Sequence, residues 1–131
     1  MKNSYFGTSM KEYHFRNELV NIPFEKNYPP NEAKIIQNGF LAPIMDDKWD
    51  IIYNNDALSF YRSWTGIGVF QLQFEENNDS LRVIGALADE EFLNHHSPVH
   101  CSTFINWLVD FIMLQKKADS PTWDYTKPKN S

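Results

Sequence analysis

Residues 62 to 66 read Arg62-Ser63-Trp64-Thr65-Gly66, and they place a guanidinium, two hydroxyls, an indole and a glycine amide at the end of the most strand-like run in the chain. Guanidinium offers donors in a rigid planar fork that matches a carboxylate or phosphate in bidentate fashion. The chemistry implied is recognition of an anionic group by Arg62, with Ser63, Thr65 and the Gly66 amide as auxiliary donors. Successive strand side chains point to opposite faces, so Leu58, Phe60, Arg62 and Trp64 share one parity and Arg62 falls on the apolar face. A charge there needs a partner, because an unpaired buried ion costs on the order of several kcal/mol. Two readings stand. Arg62 forms an internal ion pair with Asp46, Asp47 or Asp50 just upstream, or it lines a cleft and takes the carboxylate or phosphate of a ligand.

A second cluster, His95-His96-Ser97-Pro98-Val99-His100-Cys101, puts three imidazoles and a thiol within seven residues. All are metal donors, yet the spacing opposes a compact site: with Pro98 opening a helix, His95 and His96 precede it, and neither CxxC nor HExxH occurs. His95, His96 and His100 are therefore weak metal candidates, and no metal is assigned. Cys101 lies in the first turn of the same helix, where amide dipoles favour a thiolate. It also shares an apolar stripe with Phe104, Ile105 and Leu108, and free cysteine is among the most buried residue types. No catalytic residue is assigned. The carboxylates Asp46-Asp47, Glu75-Glu76 and Asp89-Glu90-Glu91 read as solvated turns and a helix start. Trp49, Tyr53, Phe60 and Trp64 could stack on a planar ligand or form the core. No dinucleotide, Walker or nucleophile-elbow pattern is present, and no cofactor is implied.

The elements that must hold these residues follow from periodicity. From Trp49 the apolar period is two, giving strands over Trp49–Tyr53, Ala57–Trp64, Gly68–Phe74 and Leu81–Ala86. Their separators, Asn54-Asn55-Asp56, Thr65-Gly66 and Glu75–Ser80, are turn-rich and too short for helical crossovers. An antiparallel meander is expected. Ser97 as N-cap and Pro98 at the first helical position open a long C-terminal helix running to Lys117, with Cys101, Phe104, Ile105, Leu108, Phe111 and Ile112 on its apolar face. A short helix is expected over Asn31–Gln37, capped by Asn31 and stopped at Asn38-Gly39. Residues 1–30, broken by Pro23 and Pro29-Pro30, read as a draped extended arm, and 118–131 as a polar tail. The expected fold is α+β in a single domain over 1–131: a four-stranded antiparallel sheet with the long C-terminal helix across one face.

Composition narrows the partners. Twelve Lys plus Arg against seventeen Asp plus Glu give a net charge of −5 with no basic stripe, which disfavours nucleic acid. The longest apolar run, Trp107 to Leu114, is broken by Asp110 and falls short of the ~20 residues that span a bilayer. The first residues lack the apolar core of a secretory signal, and a lone cysteine suits a reducing compartment, so the expected location is the cytoplasm. An aromatic content of 15% leaves room for a self-association patch, and hence for a homo-oligomer.

The stretch Met45-Asp46-Asp47-Lys48-Trp49-Asp50-Ile51-Ile52-Tyr53, followed by Leu58-Ser59-Phe60-Tyr61-Arg62-Ser63-Trp64-Thr65-Gly66, resembles a segment of a family of small uncharacterised bacterial proteins. The resemblance implies that Trp49, Arg62, Trp64 and Gly66 form one recurring unit, and it carries an association with ADP-ribose or NAD-processing neighbours. The functional expectation is a non-catalytic module that binds a small anionic ligand or a protein through Arg62. The alternative is a small enzyme acting on a phosphate- or carboxylate-bearing metabolite.

Overall fold

A computed structural model describes residues 12–42 and 48–116. The fold is α+β. The meander consists of β3 (Trp49–Asn54), β4 (Ala57–Arg62), β5 (Gly68–Asn77) and β6 (Ser80–Asp89), each antiparallel to the next. Two of its turns are two-residue hairpins in which both central residues have positive φ: Asn55 at 53° with Asp56 at 61°, and Asn78 at 54° with Asp79 at 69°. That is the type I′ geometry whose twist matches a hairpin, and Asn and Asp tolerate it best among residues with a side chain. The last two strands are accordingly longer than expected. Glu75 and Arg82 face each other across the ladder and form an ion pair, so the presumed loop from Glu75 is strand as far as Asn77.

The sheet is wider than the four strands expected. The proline-broken arm supplies β1 (Leu19–Asn21) and β2 (Asn27–Tyr28), which pair end to end along the outer edge of β6. The order across the sheet is β1-β6-β5-β4-β3, with β2 also on β6. Farther up the arm, the His14 amide donates to the Gly66 carbonyl (3.0 Å) and the Gly68 amide to the His14 carbonyl (2.7 Å), a parallel bridge at Ile67. Pairing of this kind satisfies the donors and acceptors that an edge strand would otherwise expose.

Helices cover one face. α1 spans Pro30–Asn38, with Pro30 at the first helical position and Pro29 as N-cap; Asn31 is not the cap, and Gly39 at φ 72° ends the helix as expected. The short helix α2 (Glu90–Leu93) is capped by Asp89, whose carboxylate accepts from the amides of Glu91 (3.0 Å) and Phe92 (3.2 Å). Ser97 caps α3 (Pro98–Trp107) by accepting from the His100 amide at 3.1 Å. The long C-terminal helix is shorter than expected: 16 residues, of which the last six, Leu108–Met113, form a π-helical turn. A π turn closes i→i+5 bonds, here from the Leu114 amide to the Val109 carbonyl at 2.9 Å, and so rotates the side chains off the 3.6 period. Val109 and Met113 are buried where Phe111 and Ile112 were expected, and Phe111 is 47% exposed.

Between helices and sheet lies a core built on Ile51, Leu58, Phe60, Phe70, Leu72 and Leu81 from the strands, with Ile36, Cys101, Ile105, Leu108 and Val109 from the helices. Opposite residues of neighbouring strands share a face, so Trp49, Phe60 and Arg62 belong to this helix-covered side. The reverse side is more polar, with Ser59, Gln71 and Gln73 linked by amide hydrogen bonds of 3.0 and 3.3 Å and Tyr61 under the rings of Tyr13 and Phe15. Among the described residues no helix is long and apolar enough to cross a membrane.

Candidate anion-binding site at Arg62

Arg62 is the last residue of β4 and sits opposite Trp49 in the ladder. Its guanidinium carbon is 4.8 Å from the centroid of the Trp49 ring, a cation–π contact of a kind that contributes on the order of 1 kcal/mol. The indole is anchored in turn: Trp49 is buried, stacked on Phe70 at 6.1 Å and met edge-on by Phe104 at 5.5 Å. Burial draws the Arg62 pKa down from its ordinary value, yet a guanidinium starts so high that it keeps its charge at neutral pH. A fully charged fork therefore sits over a ring rooted in the core.

The turn beyond it is fixed by the backbone. The Arg62 amide donates to the Ile67 carbonyl (2.9 Å) and the Gly66 amide to the Arg62 carbonyl (2.8 Å). Gly66 has φ 78°, and a Cβ there would strike the Glu12 carbonyl, so only glycine allows the arm to lie against this turn. At Gly68 the Phe15 ring occupies the space a side chain would need. The arm thus buttresses the turn, and the Thr65 hydroxyl accepts from the Ile67 amide at 3.2 Å.

Two clefts meet at Arg62 and Thr65. One, of about 250 Å³, is walled by Arg16 from the arm, Ile67, Gly68 and Val69 from the start of β5, and Asp89, Glu91, Phe92 and His95 from α2 and its flanks. The other, of about 360 Å³, adds Lys48 and Trp64. The carboxylates of the first cleft are held internally. Asp89 caps α2 and also accepts from the Asn17 side chain (3.1 Å), and Glu91 lies 3.7 Å from Arg16. Next to them the histidines gather: His96 packs on Phe92 with ring centroids 4.3 Å apart, and its pKa is lowered first by burial and then by the positive charges of His95, His100 and Arg62. Among the described residues that line the two clefts, Arg16, Arg62 and Lys48 stand against Asp89 and Glu91.

Several sequence expectations need correction. Strand β4 ends at Arg62, so parity stops there: Trp64 lies in the turn with 69% of its surface exposed and does not share the apolar face. Ser63 is buried and lines neither cleft, and its amide donates to the Lys48 carbonyl. The Gly66 amide is used within the turn and is not an auxiliary donor. Asp50 stands opposite Tyr61 on the reverse face, where its carboxylate accepts from the Tyr13 hydroxyl and the Ala42 amide, each at 2.8 Å. It is therefore not placed alongside Arg62. Asp46 and Asp47 lie outside the described residues. His95 does reach the Arg62 cleft, whereas His100 is on the first turn of α3; among the described residues no three His, Cys, Asp or Glu side chains converge to hold a metal ion. Cys101 is in the core, and burial pushes its thiol up to about 11, far from a thiolate at neutral pH.

Arg16, Lys48, Asp89, Glu91 and Phe92 escaped the sequence reading as cleft residues. Arg16 belongs to an arm with no period to read, and Asp89 signals itself only as a helix cap. Comparison of the chain with protein-family models, with curated proteins and with solved structures gives no match in any of the three.

Proposed function

We propose that this protein is a binding module for a small anionic ligand, gripped by the Arg62 guanidinium where the two clefts meet. The observation that carries the reading is the seat of that guanidinium, laid on the buried Trp49 ring and bordering both clefts together with Thr65. A fork immobilised on a ring loses less entropy on binding a carboxylate or phosphate than a free side chain would. Lys48 and Arg16 add positive charge around it. A bacterial cytoplasm is the setting proposed.

The test is thermal unfolding with phosphate, sulfate and citrate, on the wild type, Arg62→Lys and Arg62→Gln. A ligand that binds only the folded state raises Tm with concentration. Wild type should show that rise, Arg62→Gln should lose it, and Arg62→Lys, which keeps charge but not the fork, should bind about tenfold more weakly. Equal shifts in all three proteins would refute the proposal. A second reading, a small enzyme acting on a phosphate- or carboxylate-bearing metabolite such as an ADP-ribose or NAD-related compound, is favoured by one observation, the presence of His95 in the same cleft as Arg62. It requires product formation that His95→Gln abolishes while ligand binding persists.

A further inference from the structure

We infer that the anion held at Arg62 is a phosphate carried on a flat heterocycle, as in a nucleoside monophosphate, and that the heterocycle stacks on Trp64. The inference rests on the reading of Arg62 as an anion contact and adds the identity of what bears the charge. Single exposed apolar side chains are common and need no explanation. Trp64 differs in its neighbours. Its indole, 69% exposed, borders the same 360 Å³ cleft as the guanidinium of Arg62, the hydroxyl of Thr65 and the ammonium of Lys48. The volume lies within the roughly 300 to 1,000 Å³ typical of small-molecule sites.

Among the described residues, each group that lines this cleft has a counterpart in such a ligand. Arg62 and Lys48 offer charged donors to phosphate oxygens, the one as a fork and the other as a point charge. The Thr65 hydroxyl oxygen accepts from the Ile67 amide, and its O–H can still serve as a further donor. The indole supplies the flat apolar surface on which a base stacks, and the exposed position of Trp64, forced by the end of β4 at Arg62, turns that surface toward the cleft and away from the core. A small carboxylic acid would use the cations and leave the indole idle. A polynucleotide would need a basic track along its backbone, which a chain of net charge −5 without a basic stripe does not provide.

Titration calorimetry on the full chain with AMP, adenosine, ribose 5-phosphate and a twelve-residue oligothymidylate tests this. AMP should bind roughly tenfold more tightly than ribose 5-phosphate, the gain expected from one stacked base. Trp64→Ala should erase that gain and leave ribose 5-phosphate unchanged, while Trp64→Phe keeps part of it. Equal affinities for AMP and ribose 5-phosphate would overturn the stacking inference and leave the anion reading intact. Adenosine binding as well as AMP would overturn the anion reading, and with it this inference. Tighter binding of the oligonucleotide than of AMP would replace the small ligand by single-stranded nucleic acid and overturn the inference as stated.

Discussion

Two corners of this molecule bring polar groups up against the core, and they solve the problem differently. At the Arg62 corner the charge is only partly withdrawn from water, rests on the Trp49 ring and faces open clefts. At the corner formed by β2 and the π-helical turn, the polar groups are enclosed. Tyr28 is fully buried, Asp110 has 13% of its side chain exposed, and Lys26 reaches Asp110 Oδ2 at 3.5 Å and Asn106 Oδ1 at 3.0 Å. Among the described residues the Tyr28 hydroxyl and Asp110 Oδ1 have no hydrogen-bond partner. The difference teaches how to read buried polarity. Where a charged group itself borders a cleft, the arrangement can bind something; where polar atoms are sealed from water, as the Tyr28 hydroxyl and Asp110 Oδ1 are, an unsatisfied atom is a cost in stability that the surrounding packing must outweigh.

The comparison breaks most visibly at Trp49. Trp49→Ala removes the ring that carries Arg62 and leaves a cavity beside Phe70 and Phe104, so urea unfolding should show a loss of about 3 to 5 kcal/mol. A loss below about 1 kcal/mol, with the anion response retained, would mean that the corner is not rooted in the core.

At the other corner the sign reverses. Tyr28→Phe deletes a hydroxyl that has no partner while keeping the ring, which lies 6.2 Å from Phe74, so stability should hold or rise by about 1 kcal/mol. Destabilisation by more than about 1 kcal/mol would show that the hydroxyl is satisfied in solution.

The smallest effect separates the corners by pH. His96 has its pKa lowered below the ordinary 6.5, so the unfolded chain binds more protons than the folded one in that range. Its contribution is fully present above about pH 6.5 and is lost as pH falls through the lower folded value. Tyr28 is shifted upward, first by burial and then by Asp110 and Glu32, so it stays protonated from pH 5 to 8 and adds no slope. His96→Gln should flatten the dependence of the urea midpoint on pH below 6.5; an unchanged slope would assign it to other groups.

The meander was legible because its turns are chemical as well as geometric: Asn55-Asp56 and Asn78-Asp79 favour positive φ, and the alternation of Ile51, Leu58, Phe60 and Leu72 follows the pleat. β1 and β2 were not, since three- and two-residue strands carry no period and exist only because the edge of β6 offers them partners. The π-helical turn was hidden for a related reason: a 3.6-residue stripe through Phe111 and Ile112 reads as an ordinary helix until tertiary packing selects Val109 and Met113. At the site, Arg62 was found as a charge out of place in an apolar strand. Its companions Arg16 and Asp89 were not, because no local pattern encodes a meeting between the arm and the end of β6. Trp64 was assigned to the wrong side because parity counts cannot tell where a strand stops.

The first cleft draws Arg16, Arg62 and His95 from three distant stretches of the chain. Contacts so far apart in sequence form late, after the loops between them have closed. During synthesis the guanidinium of Arg62 would emerge before α2 exists to wall it in, so a fragment ending ahead of Asp89 would have the Lys48 and Trp64 side of the site but not the first cleft. The first cleft is thus complete only in a molecule that has finished folding, and any ligand specific to it would draw partly folded molecules toward the native state.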